Sequence, residues 1–188
     1  MAVDRERVEA AVRELLAAIG DDPHRAGLAD TPRRVATAYS EYFAGVGVDP
    51  ADALTTLGLD GETGELVLLR DIEFRSMCEH HLLPFTGVAH VAYLPSDRIT
   101  GLGRIPAVVD VVASRPQIQE RLTDEIADAL EAGLQPRGVL VVVEASHGCV
   151  AVRGQRQAKS TAVTIASRGE LAKPIERAEI MALIGERR

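Results

Sequence analysis

Glu65-Leu66-Val67-Leu68-Leu69-Arg70-Asp71-Ile72-Glu73-Phe74 is where the texture of this chain changes. Upstream, apolar residues recur at helical spacing. Here valine, leucine and isoleucine gather in a short run, and the same texture returns at residues 88–94, 138–145 and 160–166, bounded by proline and glycine. Such runs between turn residues read as strands. Among them, Ile118, Leu122, Ile126 and Leu130 lie four apart between glutamates and aspartates, the pattern of a long amphipathic helix laid on a sheet. Residues 105–113 admit two readings, since their valines suit a strand and Pro106 suits a helix start. Working back, Val8, Val12, Leu15 and Ile19 predict an amphipathic helix that stops at Gly20, followed by a turn at Asp21-Asp22-Pro23. A second helix starts at Thr31, where Thr31 can cap, Pro32 fits the first helical position, and Val35, Tyr39 and Tyr42 supply the apolar face before Gly45. With no internal repeat, low-complexity tract or long linker, the chain reads as α+β. Residues 1–60 form an N-terminal helical region, and residues 61–188 a unit with a mostly antiparallel sheet.

A chain of 188 residues with 46% hydrophobic content can bury one core. Its formal net charge of −7 argues against a nucleic-acid binder, so any anionic ligand must be met by a local cluster of cations. No run of about 18 apolar residues occurs, and residues 1–9 are charged rather than signal-like, which predicts a cytoplasmic protein with no membrane partner. In a reducing compartment the two cysteines, Cys78 and Cys149, are more often ligands or catalysts than a disulfide.

Both cysteines lie close to histidines: Cys78-Glu79-His80-His81, and far downstream His147-Gly148-Cys149. A catalytic zinc takes three protein ligands from such donors and leaves the fourth position to water, whose pKa falls to about 7. Cys78, His81 and Cys149 would satisfy that count, because a separation of three lets Cys78 and His81 converge in a tight turn while His80 points elsewhere, free to act as an acid or base. Buried hydrophobic cysteines with surface or satisfied core histidines, or a Cys78–Cys149 disulfide, are the competing readings. His24 and His90 read as structural, His90 because it alternates within an apolar strand. The pattern points to metal-assisted hydrolysis with proton transfer near neutral pH, and it leaves the substrate open. Gln119-Glu120-Arg121, Arg104 and Arg153-Gly154 are further polar candidates, each of which alone reads as a solvated charge.

Cys78-Glu79-His80-His81-Leu82-Leu83-Pro84-Phe85, then Ala89-His90-Val91-Ala92-Tyr93-Leu94-Pro95, Gln117-Ile118-Gln119-Glu120-Arg121-Leu122-Thr123, and His147-Gly148-Cys149 with Arg153-Gly154 together resemble the GTP cyclohydrolase type I family. The resemblance extends from Gly20-Asp21-Asp22-Pro23 and Thr31-Pro32-Arg33-Arg34-Val35-Ala36 to Ser160 and Thr164. It implies the tunnelling fold, in which a unit of two helices and four strands joins its neighbours edge to edge into a barrel, and two rings stack as a homodecamer. It implies zinc (Zn2+) on Cys78, His81 and Cys149, water attacking C8 of guanine, release of formate, and rearrangement to 7,8-dihydroneopterin triphosphate. By the same resemblance Glu120 anchors the guanine edge, His80 and His147 move protons, Arg104 and Arg153 face the phosphates, and Gln119 supports substrate binding.

Two positions depart from the family pattern. Where it usually has Gly-Leu-Ser-Lys this chain has Gly101-Leu102-Gly103-Arg104, and where an arginine follows three residues later it has Ala107. Both fall on the family's triphosphate region. A diverged cyclohydrolase acting on a less phosphorylated guanine nucleotide or a related purine, in a specialised pathway, is therefore the nearest alternative. A non-catalytic zinc-containing module, with idle histidines, is the alternative of another class.

Overall fold

In the computed structural model, which describes residues 3–59, 64–154 and 156–185, α1 (Arg5–Ala18) and α2 (Thr31–Tyr42) pack on one another. Asp4 caps α1 by accepting from the Arg7 amide at 3.1 Å. The buried stripe of α1 runs through Val8, Val12 and Leu16, and the expected Leu15 and Ile19 are 59% and 69% exposed. Leu15 lies about 100° around the helix from Leu16, so only one of the two can face α2. The residue ahead of α2 is Asp30 rather than Thr31, and it takes no backbone amide. Its carboxylate is held by Arg33 at 2.6 Å and Arg34 at 2.9 Å, and these guanidinium groups push its pKa down to about 2. The expected boundary between residues 60 and 61 lies outside the described residues.

The remaining elements are β1 (Thr56–Gly58), β2 (Val67–Cys78), β3 (Pro84–Leu94), β4 (Arg98–Thr100), α3 (Arg104–Ala113), β5 (Pro116–Gln117), α4 (Gln119–Leu134), β6 (Gly138–His147), α5 (Gly148–Ala151), β7 (Ala162–Gly169) and α6 (Pro174–Gly185). β1 and β4 form a small antiparallel pair. The main sheet has the order β5-β2-β3-β6-β7. Its four long strands are antiparallel, as the sequence predicts, but β5 adds a short fifth strand parallel to β2, pairing Cys78 with Gln117. Residues 105–113 resolve as helix, because Ile105, Val108, Val109 and Val112 are buried at helical spacing. β2 runs on to Cys78, β3 starts as early as Pro84 and β6 continues to His147. These extensions all lie at one end of the sheet, where polar and ligand-type residues interrupt the apolar pattern.

Helices α3 and α4 cover one face of the sheet, packing Val108, Val112, Leu122 and Ile126 against Phe85, Ala89, Val141 and Val143. On the other face Leu140, Val142 and Ala92 meet Leu171 and Ile180, the latter from α6, a helix absent from the expected elements. Burial on both faces explains the unbroken valine run of β6, which a half-solvated strand would not need. At a register shift in β2, Asp71 adopts a left-handed φ of 58° and its amide donates to His90 Nδ1 at 3.2 Å, so His90 serves the strand. Among the described residues no helix is long and apolar enough to cross a membrane.

Gly87 lies opposite Ala145 in the β3–β6 ladder, where an added Cβ would sit 2.0 Å from the Glu144 carbonyl oxygen and 2.7 Å from Ala145 Cα. Gly87→Ala is expected to cost about 1–3 kcal/mol, with a melting temperature lower by roughly 2–4 °C per kcal/mol. A thermal scan showing no change would mean that the strands are not so closely apposed.

Candidate metal centre

β3 begins between the ends of two other strands. Phe85 pairs with Ser76 of β2 on one side and with His147 of β6 on the other. Cys78, the last residue of β2, and Cys149, just beyond β6, therefore flank the same few residues of β3 although they are far apart in sequence. The intervening turn is tight: the Leu82 amide donates to the Cys78 carbonyl at 2.8 Å, and the Cys78 amide donates to the Leu83 carbonyl at 2.9 Å. Leu82 takes a left-handed φ of 49° to close it. This turn swings His81 back over Cys78, leaving Nδ1 3.6 Å from Sγ.

The donor atoms of Cys78, His81 and Cys149 all lie within 4.8 Å of one another. Three ligands bonded at 2.0–2.3 Å around a tetrahedral ion stand about 3.5 Å apart, so this set needs little movement to hold a metal. Both cysteines are free thiols. Burial, then the neighbouring Cys78 sulfur, pushes the Cys149 thiol up from its ordinary value.

Next to these donors stands His147, its ring stacked on Phe85 at 4.6 Å between centroids and 6° between planes. His147 Nε2 lies 2.7 Å from Gln119 Oε1. The orientation of that amide is fixed, because Gln119 Nε2 donates to the carbonyls of Val143 at 3.0 Å and Ala162 at 2.9 Å. A flipped amide would point its oxygen at two carbonyls. Gln119 Oε1 must therefore accept, His147 Nε2 must carry the proton, and Nδ1 is left as the basic atom. Burial holds the His147 imidazole below its ordinary pKa, partly offset by the charge of Glu120.

Gln119 is 3% exposed, and its amide is engaged by Val143, Ala162 and His147 within the fold. Glu120 and Arg153 are exposed, Glu120 within electrostatic reach of His147 and Arg153 of Cys149. His80 turns outward, its side chain 66% exposed and 4.0 Å from the Glu79 carboxylate. Arg104 is not brought to this group. It opens α3, a helix of 10 residues and so about 15 Å long, whose other end leads into β5 beside Cys78. Phe85 and Thr164 fall within the motifs quoted from the sequence, which assigned them no role. Thr164 Oγ1 accepts from Gln119 Nε2 at 3.2 Å and lies 2.6 Å from Thr123 Oγ1. The pairing of β3, β6 and β7 sets Phe85 against His147 and Thr164 against Gln119.

The family model for GTP cyclohydrolase I matches residues 8–185. GTP cyclohydrolase 1 of Leifsonia xyli subsp. xyli is 61% identical over 183 residues, covering 97% of this chain and 96% of its own. That of Streptomyces griseus subsp. griseus is 55% identical, covering 97% and 92%. Among solved structures, the archaeosine synthase QueF-Like in its apo form aligns over 57% of this chain and 97% of its own with a TM-score of 0.45 at 16% identity, too slight a likeness to bear on function. A family match over nearly the whole described length, with relatives sharing more than half their residues, places this chain in the GTP cyclohydrolase I family.

Proposed function

We propose that this protein hydrolyses GTP, opening the guanine ring, releasing formate and yielding 7,8-dihydroneopterin triphosphate, with zinc held by Cys78, His81 and Cys149. The observation that carries this reading is the convergence of those three donors beside an imidazole whose tautomer Gln119 fixes. Two soft thiolates and an imidazole suit zinc, which when bound supplies the Lewis acidity that makes water nucleophilic near neutral pH. The protein's own groups do the rest. His147 accepts a proton at Nδ1, and its depressed pKa keeps that atom free at neutral pH. His80, open to solvent, exchanges protons with the departing ring nitrogens. Glu120 accepts from the adjacent N1–H and 2-amino donors of guanine, which selects this base by charge-assisted hydrogen bonds. Arg153 faces the phosphates. Arg104, at the far end of α3, serves the site of a neighbouring copy, as expected of tunnelling-fold units closed into rings and stacked as a homodecamer in the cytoplasm.

A second reading, that fewer phosphates suffice, draws on α3. A Cβ at Gly103 would meet nothing within 4 Å, so the fold does not require glycine where a hydroxyl donor would serve a phosphate. Across GTP, GDP, GMP and guanosine, kcat/KM for the wild type, Gly103→Ser and Ala107→Arg separates the two readings. Each added donor or cation should raise preference for GTP by roughly tenfold if the phosphate site is depleted. A wild type that prefers GTP over GMP by roughly a thousandfold or more, with neither variant changing that ratio, removes the second reading.

Purified protein should carry about one zinc per chain, and Cys78→Ser, His81→Ala and Cys149→Ser should each lose it, since three ligands leave no redundancy. Full zinc in Cys149→Ser by metal analysis would overturn the ligand set. His80→Ala and His147→Ala should keep zinc yet release formate roughly a hundredfold more slowly, the usual scale for a positioned acid or base. Gln119→Glu, which cannot donate to Val143 and Ala162, should keep zinc and lose about tenfold or more. Normal rates in all three would remove the proton-transfer assignment.

A further inference from the structure

Arg121 lies one residue past Glu120 on α4, and a half-buried helical arginine four residues before Glu125 would ordinarily form an ion pair of little consequence. The structure uses it differently. Its Nε donates to Gln117 Oε1 at 2.9 Å, and one terminal nitrogen donates both to the Pro116 carbonyl at 3.0 Å and to the Glu79 carboxylate. The separation from Glu125 is a looser 3.7 Å. The guanidinium is itself held in place, because Gln117 is fully buried and its amide donates to Glu125 at 2.8 Å and to the Val112 carbonyl at 3.2 Å. Glu79 sits inside the turn that carries Cys78 and His81, and its backbone amide donates to the Gln117 carbonyl at 3.0 Å. One planar cation therefore joins the metal-ligand turn to β5 and to the first turns of α4, the same helix that carries Gln119 and Glu120.

We infer that Arg121 is a positioning residue for the metal centre, fastening Glu79 so that the exposed His81 is held over Cys78 before metal binds. This rests on the reading of Cys78, His81 and Cys149 as metal ligands. Arg121 touches no ligand atom and acts through the turn. Arginine suits this role because its fork reaches several acceptors at fixed angles, whereas a lysine at the same place offers one point charge.

The test uses zinc-loaded protein challenged with excess EDTA, with metal release followed by a zinc-sensitive dye, so that catalysis is not the readout. Arg121→Ala and Glu79→Gln should each release zinc roughly tenfold faster, the lower end of what residues outside the ligand set contribute. The double variant should be little worse than either single one, because both break the same link. Arg121→Lys should recover part of the loss. Arg168→Ala is the control: Arg168 ties the same helix to β7 through Asp124 at 3.0 Å and Asp128 at 2.8 Å, away from the turn. It should lower the melting temperature and leave zinc release unchanged. Wild-type release rates in Arg121→Ala and Glu79→Gln would overturn the inference, as would equal acceleration in Arg168→Ala. A wild type that holds no zinc at all would instead remove the metal reading, and this inference with it.

Discussion

The arrangement at the metal centre depends on the ladder that holds the start of β3 between β2 and β6. Antiparallel pairing on both sides sets the end of β2 and the end of β6 against the same few residues, Pro84 to Gly87. A slip of one residue on either side would turn that strand's side chains to the opposite face, taking His147 off Phe85 or Cys78 away from Cys149. The close approach of Gly87 to the Glu144 carbonyl shows how little slack the pairing has. β5 extends the same logic outward, because its pairing with Cys78 delivers the first turn of α4, with Gln119, Glu120 and Arg121, to the edge of the site.

The sheet is unevenly dressed. Toward Leu94 and Gly138 it is covered on both faces, by α3 and α4 on one and α6 on the other. Toward the metal centre α6 gives out, and Glu73, Arg75 and Thr86 are exposed on strands whose alternate residues remain in the core. The covered half supplies the rigidity, and the open half leaves His80, His81 and Glu120 accessible.

Much of this was legible in the sequence, and the parts that were not have identifiable causes. The four long strands and α4 announced themselves by composition and period, because packing against a core imposes both. Cys78, His81 and Cys149 were legible because thiols and imidazoles are scarce enough for their clustering to carry information. The ends of β2, β3 and β6 were read short, since ligand residues replace the apolar pattern where the strands reach the site. Leu15 and Ile19 misled because their spacing matches a helical face without saying which side meets a partner. Gln119 and Arg121 were the hardest: each looked like an ordinary polar residue at a helix start, and only the folded register shows that one faces a histidine and the other a buried glutamine.

The amide of Gln119 also joins the rim of the sheet to the site. Its nitrogen is bonded to the Ala162 carbonyl and the Thr164 hydroxyl of β7, the outermost strand, while its oxygen holds His147 at the end of β6. β7 is an edge of the sheet within one chain, the kind of edge that ring closure with a neighbouring copy would cover. A single planar amide thus ties the outermost strand to the imidazole, so the placement of β7 bears directly on that of His147.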